Sequence, residues 1–221
     1  MIEDIFFPDP NLADDDGLVA VGGDLSTHRL LKAYEMGIFP WFDEQGPVLW
    51  WSPNPRLILI PSEIKISRSL KSIIKKRIFE VAFDRDFEAV IKNCADLRRS
   101  NRVGTWITKD MIDAYCKLHD EGYAHSVECW FEGQLVGGLY GVSLGRVFFG
   151  ESMFCKQSNS SKIALVSLCE RLIKWNFTMI DCQVVTRHLI SMGAKTVSRE
   201  DFLKLLNYTL RFKTIKGNWS E

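Results

Sequence analysis

Asp181 and Gln183 close the apolar run Met179-Ile180-Asp181-Cys182-Gln183. Residues two apart on a strand project from one face, so a carboxylate and a carboxamide are expected side by side. Such a pair can accept from an amine and polarise a carbonyl. The competing reading is a structural polar ladder whose members satisfy each other or a neighbouring loop. Glu151 poses the same choice, because it lies within Val147-Phe148-Phe149-Gly150-Glu151-Ser152-Met153-Phe154, where a charge is costly unless something pairs with it. Nothing nucleophilic competes. No serine sits in G-x-S-x-G and no cysteine has a histidine beside it in sequence, while His119, His125 and His188 read as packed or surface side chains.

Metal chemistry has no support in the spacing. Cys94, Cys116, Cys129, Cys155, Cys169 and Cys182 are scattered singly, with no C-x-x-C pair, and the four histidines form no H-E-x-x-H. The cysteines are expected to be free, buried thiols and no metal site is expected. The 221 residues fit one large domain, or one domain with a small companion. At 46% hydrophobic and 25% charged residues the composition is that of a globular chain, and no apolar run approaches the ~18 residues of a membrane span. The start, Met1-Ile2-Glu3-Asp4, is acidic where a presequence would be basic, so a cytoplasmic monomer is the expectation.

The formal net charge is +0, with 28 basic and 28 acidic residues, which argues against general polyanion binding. Its distribution is uneven. Residues 1–55 carry ten acids against only Arg29 and Lys32, whereas residues 56–109 are rich in Arg and Lys. That asymmetry suits a chain that holds a nucleic acid at one place. Within Ser67–Ile78, Leu70, Ile73, Ile74 and Ile78 fall on one helical face and leave Arg68, Lys71, Lys75 and Lys76 on the other. Lys71, Lys75, Lys76 and Arg77 are the candidates for phosphate contacts; a merely solvated face is the alternative.

The elements that must position these groups can be read in order. Ser26 caps a helix bearing Leu30, Leu31 and Tyr34 that Gly37 ends. Three tryptophans, Trp41, Trp50 and Trp51, follow in a short non-periodic stretch; they either plug an interface between lobes or offer a stacking surface. Prolines at 53, 55 and 61 mark a boundary, dividing a small N-terminal lobe, residues 1–62, from a larger domain, residues 63–221. In the latter, helical patterns at Asp86–Cys94 and Thr108–Glu121 precede strand-like runs at His125–Phe131, Gln134–Ser143 and Arg146–Phe154, joined by short turns. A helix capped at Asn159-Ser160-Ser161 runs to Lys174, a strand spans Thr178–Gln183, and Ser198 opens a last helix.

Two helices, a three-stranded meander, a helix and a further strand is the order of the N-acetyltransferase, or GNAT, fold. An α+β chain with a mixed, largely antiparallel sheet is therefore expected. Those enzymes cradle the coenzyme A pyrophosphate on a glycine-bearing loop ahead of the helix that follows the meander. The corresponding stretch here, Cys155-Lys156-Gln157-Ser158-Asn159-Ser160-Ser161-Lys162, has no glycine, so coenzyme A is not the expected donor.

Phe39-Pro40-Trp41-Phe42, Leu49-Trp50-Trp51-Ser52-Pro53, Gly104-Thr105-Trp106-Ile107-Thr108, His125-Ser126-Val127-Glu128, Val136-Gly137-Gly138-Leu139-Tyr140-Gly141, Phe149-Gly150-Glu151-Ser152-Met153-Phe154 and Ile180-Asp181-Cys182-Gln183, taken in succession, resemble the bacterial leucyl/phenylalanyl-tRNA–protein transferases. The similarity runs from about residue 6 to about residue 206 and leaves the tail from Tyr208 to Glu221 uninformative. The resemblance implies transfer of Leu or Phe, and less readily Met, from aminoacyl-tRNA to the N-terminal amine of proteins beginning with Lys or Arg, which marks them for degradation. The ester donor is already activated, so no cofactor, ATP or metal is implied.

By the same resemblance Trp41 and Trp106 hold the terminal adenosine, and Leu139, Phe148, Met153 and Ile180 line an apolar cavity for the donor side chain. Burial in such a pocket separates close apolar side chains by only ~1–3 kcal/mol, in keeping with tolerance of Leu, Phe and Met. Asp181 is expected to orient Gln183, the pair to place the acceptor amine against the ester carbonyl, and Glu151 to help hold the aminoacyl end. Strict alternation sets Phe148 and Ile180 on the faces opposite Glu151 and Asp181, so a bulge, a strand end or a second cleft wall must intervene if all four meet one substrate.

Overall fold

The computed structural model describes residues 5–100 and 107–220. The N-terminal part supplies β1 (Leu18–Val21), α1 (Thr27–Glu35), β2 (Phe39–Pro40) and β3 (Leu49–Trp51), whose strands form a small antiparallel sheet in the order β1-β3-β2. There follow β4 (Arg56–Leu59), α2 (Arg68–Lys75), β5 (Glu80–Phe83), α3 (Phe87–Ser100), α4 (Lys109–Asp120), β6 (Ala124–Phe131), β7 (Gln134–Leu144), β8 (Val147–Cys155), α5 (Ser160–Lys174), β9 (Met179–Gln183), α6 (Arg187–Ser191), β10 (Lys195–Val197) and α7 (Arg199–Thr209).

A seven-stranded sheet runs β10-β4-β9-β8-β7-β6-β5. Every neighbouring pair is antiparallel except β8 and β9. A parallel neighbour needs a crossover, and α5 supplies it, giving the α+β acyltransferase order read from the sequence. Strand β4, which precedes the expected boundary after residue 62, lies inside this sheet between β10 and β9.

Each face of the sheet carries its own core. Leu30 and Tyr34 of α1, Ile91 of α3, Met111 and Tyr115 of α4 and Phe202 of α7 pack on one face with Tyr140 and Phe149. On the other, Leu70 of α2 and Ile163, Leu168 and Leu172 of α5 pack with Val127, Phe148 and Ile180. Phe148 and Phe149 thus go to opposite cores, as strand alternation requires.

The helix starts follow from their caps. Ser26, Ser67, Thr108 and Ser198 accept from the backbone N–H of Arg29, Leu70, Met111 and Asp201, the expected use of a short hydroxyl where main-chain donors are otherwise orphaned. Two readings of the sequence need correction. Asn159 makes no side-chain cap; its backbone is left-handed, at φ 72°, and its amide donates instead to Ser158. Helix α2 stops at Lys75 because Arg77 turns left-handed at φ 49°, which leaves Ile78 40% exposed rather than on the buried face.

Two irregularities matter most. Between β7 and β8, Tyr140 pairs with Ser152 but Gly141 with Gly150, leaving Glu151 as an extra residue. Between β4 and β9, Ile58 pairs with Asp181 but Leu57 with Gln183, leaving Cys182 extra. Each is a β-bulge, which re-aims side chains locally.

Candidate active site

The parallel pairing of β8 with β9 covers Val147–Phe149 against Met179–Asp181, although β8 itself continues to Cys155. Past the paired residues the two strands part, and a cavity of about 300 Å3 occupies the opening. Leu139, Phe148, Met153, Ile180, Leu165 and Leu168 give it an apolar wall, Glu151 and Gln183 are among its polar lining residues with Ser152, Thr186 and His188, and Phe39, Pro40 and Trp41 form one side. Glu151 bonds Tyr34 and Tyr115 on the face opposite Phe148 and Ile180, as strict alternation requires, and it is the gap past the end of the paired stretch that opens one cavity to all three side chains.

Glu151 is held from three elements. Tyr34 of α1 donates to Oε1 at 2.7 Å, Gln183 Nε2 donates to the same oxygen at 2.7 Å, and Tyr115 of α4 donates to Oε2 at 3.1 Å. The two tyrosine hydroxyls also bond each other. Burial lifts the Glu151 carboxyl to about 7, more than these hydrogen bonds lower it. Hydrogen counting points the same way: with the carboxylate ionised, both hydroxyls donate to it and their mutual contact lacks a hydrogen, which a proton on Glu151 supplies. The tyrosines are themselves pushed well above the ordinary phenol range by burial and by the Glu151 charge.

Asp181 does not face the cavity. It is 0% exposed, and Arg56 clamps it bidentately, Nε to Oδ1 at 2.9 Å and Nη2 to Oδ2 at 2.7 Å. Its Oδ1 also accepts the backbone N–H of Gln183 at 2.9 Å. The expectation that Asp181 and Gln183 project side by side therefore fails: the bulge at Cys182 breaks the alternation and Gln183 is left-handed at φ 61°. The two meet through a main-chain amide, and only Gln183 presents its carboxamide to the cavity. The Arg56 guanidinium lies over the Phe39 and Phe202 rings at 4.8 and 4.5 Å, a site built for a buried cation.

The remaining candidates fall in different places. Trp41 is 44% exposed at the side of the cavity, its carbonyl accepting from Trp51 Nε1. Trp106 lies outside the described residues. Lys71, Lys75, Lys76 and Arg77 are exposed on or just after α2, and none lines the cavity. Of the histidines, His125 is buried against Trp219 and His119 stacks on Phe87, while half-buried His188 lines the cavity. All six cysteines are free, but only four are buried: Cys116 is partly exposed on α4 and Cys155 exposed at the end of β8, against the expectation of six buried thiols. Among the described residues no acidic, histidine or cysteine group is arranged to hold a metal ion.

With this geometry in view, comparison with known proteins is decisive. Residues 58–207 match the family model described as leucyl/phenylalanyl-tRNA protein transferase, and residues 23–54 match that of its N-terminal domain. The chain belongs to this family. It is 57% identical over 206 residues to the leucyl/phenylalanyl-tRNA–protein transferase of Syntrophobacter fumaroxidans, covering 93% of this chain and 88% of the relative. It is 56% identical over 215 residues to that of Legionella pneumophila strain Corby, covering 97% and 96%. The chain is accordingly an aminoacyltransferase. Among solved structures, an aminoglycoside acetyltransferase from a soil metagenomic sample aligns with a TM-score of 0.41 at 10% identity, over 58% of this chain and 87% of that one.

Three members of the site escaped the sequence reading. Tyr34 and Tyr115 sit on the apolar stripes of α1 and α4, where a tyrosine reads as core, and only a hydroxyl in need of a partner hinted otherwise. Arg56 heads the apolar strand Arg56-Leu57-Ile58-Leu59, and a cation there calls for a buried carboxylate.

Proposed function

We propose that the protein transfers Leu or Phe, and less readily Met, from aminoacyl-tRNA to the N-terminal amine of proteins beginning with Lys or Arg, creating a degradation signal. The observation that carries this reading is the apolar cavity opening onto the hydrogen-bonded Glu151–Gln183 pair. The donor side chain enters the apolar part, bounded by Leu139, Phe148, Met153 and Ile180, and leaves the ester carbonyl beside Gln183. Trp41, with Trp106, stacks on the terminal adenosine.

The acceptor nitrogen attacks the ester carbonyl carbon, a C–N bond forms and the C–O bond to the tRNA ribose breaks. The proton lost by nitrogen balances the one gained by the ribose oxygen, so no external acid or base is consumed. Gln183 orients the amine; Asp181, locked by Arg56, acts through the Gln183 main chain as a positioning residue. Glu151, held near neutrality, is the group able to exchange a proton at working pH. Proximity and orientation supply much of the rate.

The basic residues Lys71, Lys75, Lys76 and Arg77 contact acceptor-stem phosphates, and the exposed acids of the small lobe, Asp14, Asp15, Asp16, Asp43 and Glu44, attract the cationic acceptor terminus. The protein works as a cytoplasmic monomer. The test is transfer of labelled leucine from Leu-tRNA to a peptide with N-terminal Arg, with Phe-, Met- and Val-tRNA as donor comparisons and an N-terminal Ala peptide as control. Transfer confined to Leu, Phe and Met donors and to basic termini is expected. No transfer by folded protein would sink the assignment.

A further inference from the structure

Trp219 is 1% exposed although it lies almost at the end of the chain, beyond the residues that the family models match. Its backbone N–H donates to Asp84 Oδ2 at 2.8 Å and its carbonyl accepts from Arg171 Nη1 at 2.7 Å. The indole stacks on the His125 ring at 3.7 Å and 8°, and Trp175 and Phe177 meet it edge-on at 5.0 and 6.0 Å. Thus the end of β5, α5 and β6 all grip one residue of the tail. Thr214 is fixed as well, its hydroxyl accepting from the Gly145 N–H.

The same indole lies 5.9 Å from the Phe148 ring, and Phe148 lines the cavity between β8 and β9. On another side the Phe148 ring presses on Gly141 so closely that a Cβ there would stand 2.6 and 2.8 Å from two of its carbons. Phe148 therefore lies between the bare backbone of β7 and the tail tryptophan and forms part of the cavity wall. Trp219 itself does not line the cavity.

We propose that Trp219 is a positioning residue for donor specificity: it holds the Phe148 ring forward in the cavity wall and so sets the depth available to the donor side chain. This rests on the reading of that cavity as the donor side-chain site. Close packing is what transmits the effect, since a ring with a void behind it relaxes into the void. Without the indole, Phe148 retracts, the pocket deepens, and the larger phenylalanyl donor gains on the leucyl one.

The test is a competition between Leu-tRNA and Phe-tRNA for transfer to an N-terminal Arg peptide by the wild type, Trp219→Ala, Trp219→Phe and Phe148→Leu, with kcat and KM for each donor. Trp219→Ala is expected to raise the Phe:Leu transfer ratio roughly threefold to tenfold, mostly through KM, as a change of pocket fit on the scale of a methylene does. Trp219→Phe is expected to stay close to wild type and Phe148→Leu to shift the ratio in the same direction as Trp219→Ala. A residue needed only for folding would lower transfer of both donors alike. An unchanged ratio in folded Trp219→Ala, with Phe148→Leu altered, overturns the proposal and leaves the cavity reading standing. An unchanged ratio in both overturns the cavity reading and the proposal together. If Trp219→Ala does not fold, Trp219→Leu, which keeps apolar volume but no planar ring, is read by the same criteria.

Discussion

Gln183 Nε2 donates to Glu151 Oε1 at 2.7 Å across the opening where β8 and β9 part. That single bond joins two bulged strands, and each bulge supplies one partner: Glu151 is the extra residue of β8, and Gln183 follows the extra Cys182 of β9. Polar chemistry is thereby brought to the mouth of an apolar pocket without a charge standing alone in the sheet.

Glu151→Gln should stabilise the fold at alkaline pH. The folded carboxyl titrates at about 7, raised from 4.5, so the native state binds the extra proton between those values. Stability tied to that proton is fully present below the unfolded value and is lost as pH rises through about 7. The cost of ionised Glu151 is on the order of 3 kcal/mol. Denaturant unfolding at pH 5 and pH 8 is expected to show the variant gaining stability only at pH 8; an equal gain at both would refute the shift. If ionised Glu151 exchanges the proton, wild-type transfer should also fall as pH drops through about 7, with the variant's profile flat there.

Removing one half of the Arg56–Asp181 pair should cost more than removing both charges. Both side chains are buried, at 1% and 0% exposure, and an unpaired buried charge destabilises by ~3–5 kcal/mol. Arg56→Met and Asp181→Asn are each expected to unfold at lower urea, and the double variant to recover part of the loss. Additive losses would show that the two do not act as a pair. In whichever single variant stays folded, kcat should fall further than KM rises, because the side chain at position 181 that anchors the Gln183 main chain is no longer held by the bidentate ion pair.

Leu168→Ala tests the far wall of the cavity. Leu168 is 1% exposed and lines the pocket from α5, so truncation should cost ~2–5 kcal/mol of stability and widen the space for donor side chains. Thermal unfolding and donor competition measure the two effects separately. A large loss of stability with unchanged donor preference would remove this wall from the donor site.

Neutralising Lys71, Lys75 and Lys76 together should weaken tRNA binding and flatten its salt dependence. Three lost phosphate contacts reduce the slope of log K against log salt by roughly 2 to 3. Titration at several salt concentrations gives the slope directly; an unchanged value would leave these lysines as a solvated face.

Much of the scaffold was legible in the chain because it depends on local chemistry. Serine and threonine at Ser26, Ser67, Thr108 and Ser198 announce helix starts through hydroxyls that satisfy nearby N–H groups. The meander is readable from alternation and from Glu132-Gly133, both left-handed at φ 50° and 75°, the geometry of a tight hairpin turn. Short strands such as β5 and β10 carried too few residues for a period to emerge.

The sequence by itself determined which groups could do chemistry: Glu151 in an apolar run, Asp181 and Gln183 at the end of another, and too little metal or nucleophile chemistry elsewhere to compete. Tertiary structure alone decided how they meet. A bulge is a property of two paired strands, so no single strand reveals that Glu151 and Cys182 are supernumerary. Arg56 lies 125 residues from Asp181 and Tyr34 lies 117 from Glu151, contacts that exist only once the sheet has formed and α1 has packed on it. Trp219 carried no signal at all, because what it does is set by the rings that close around it.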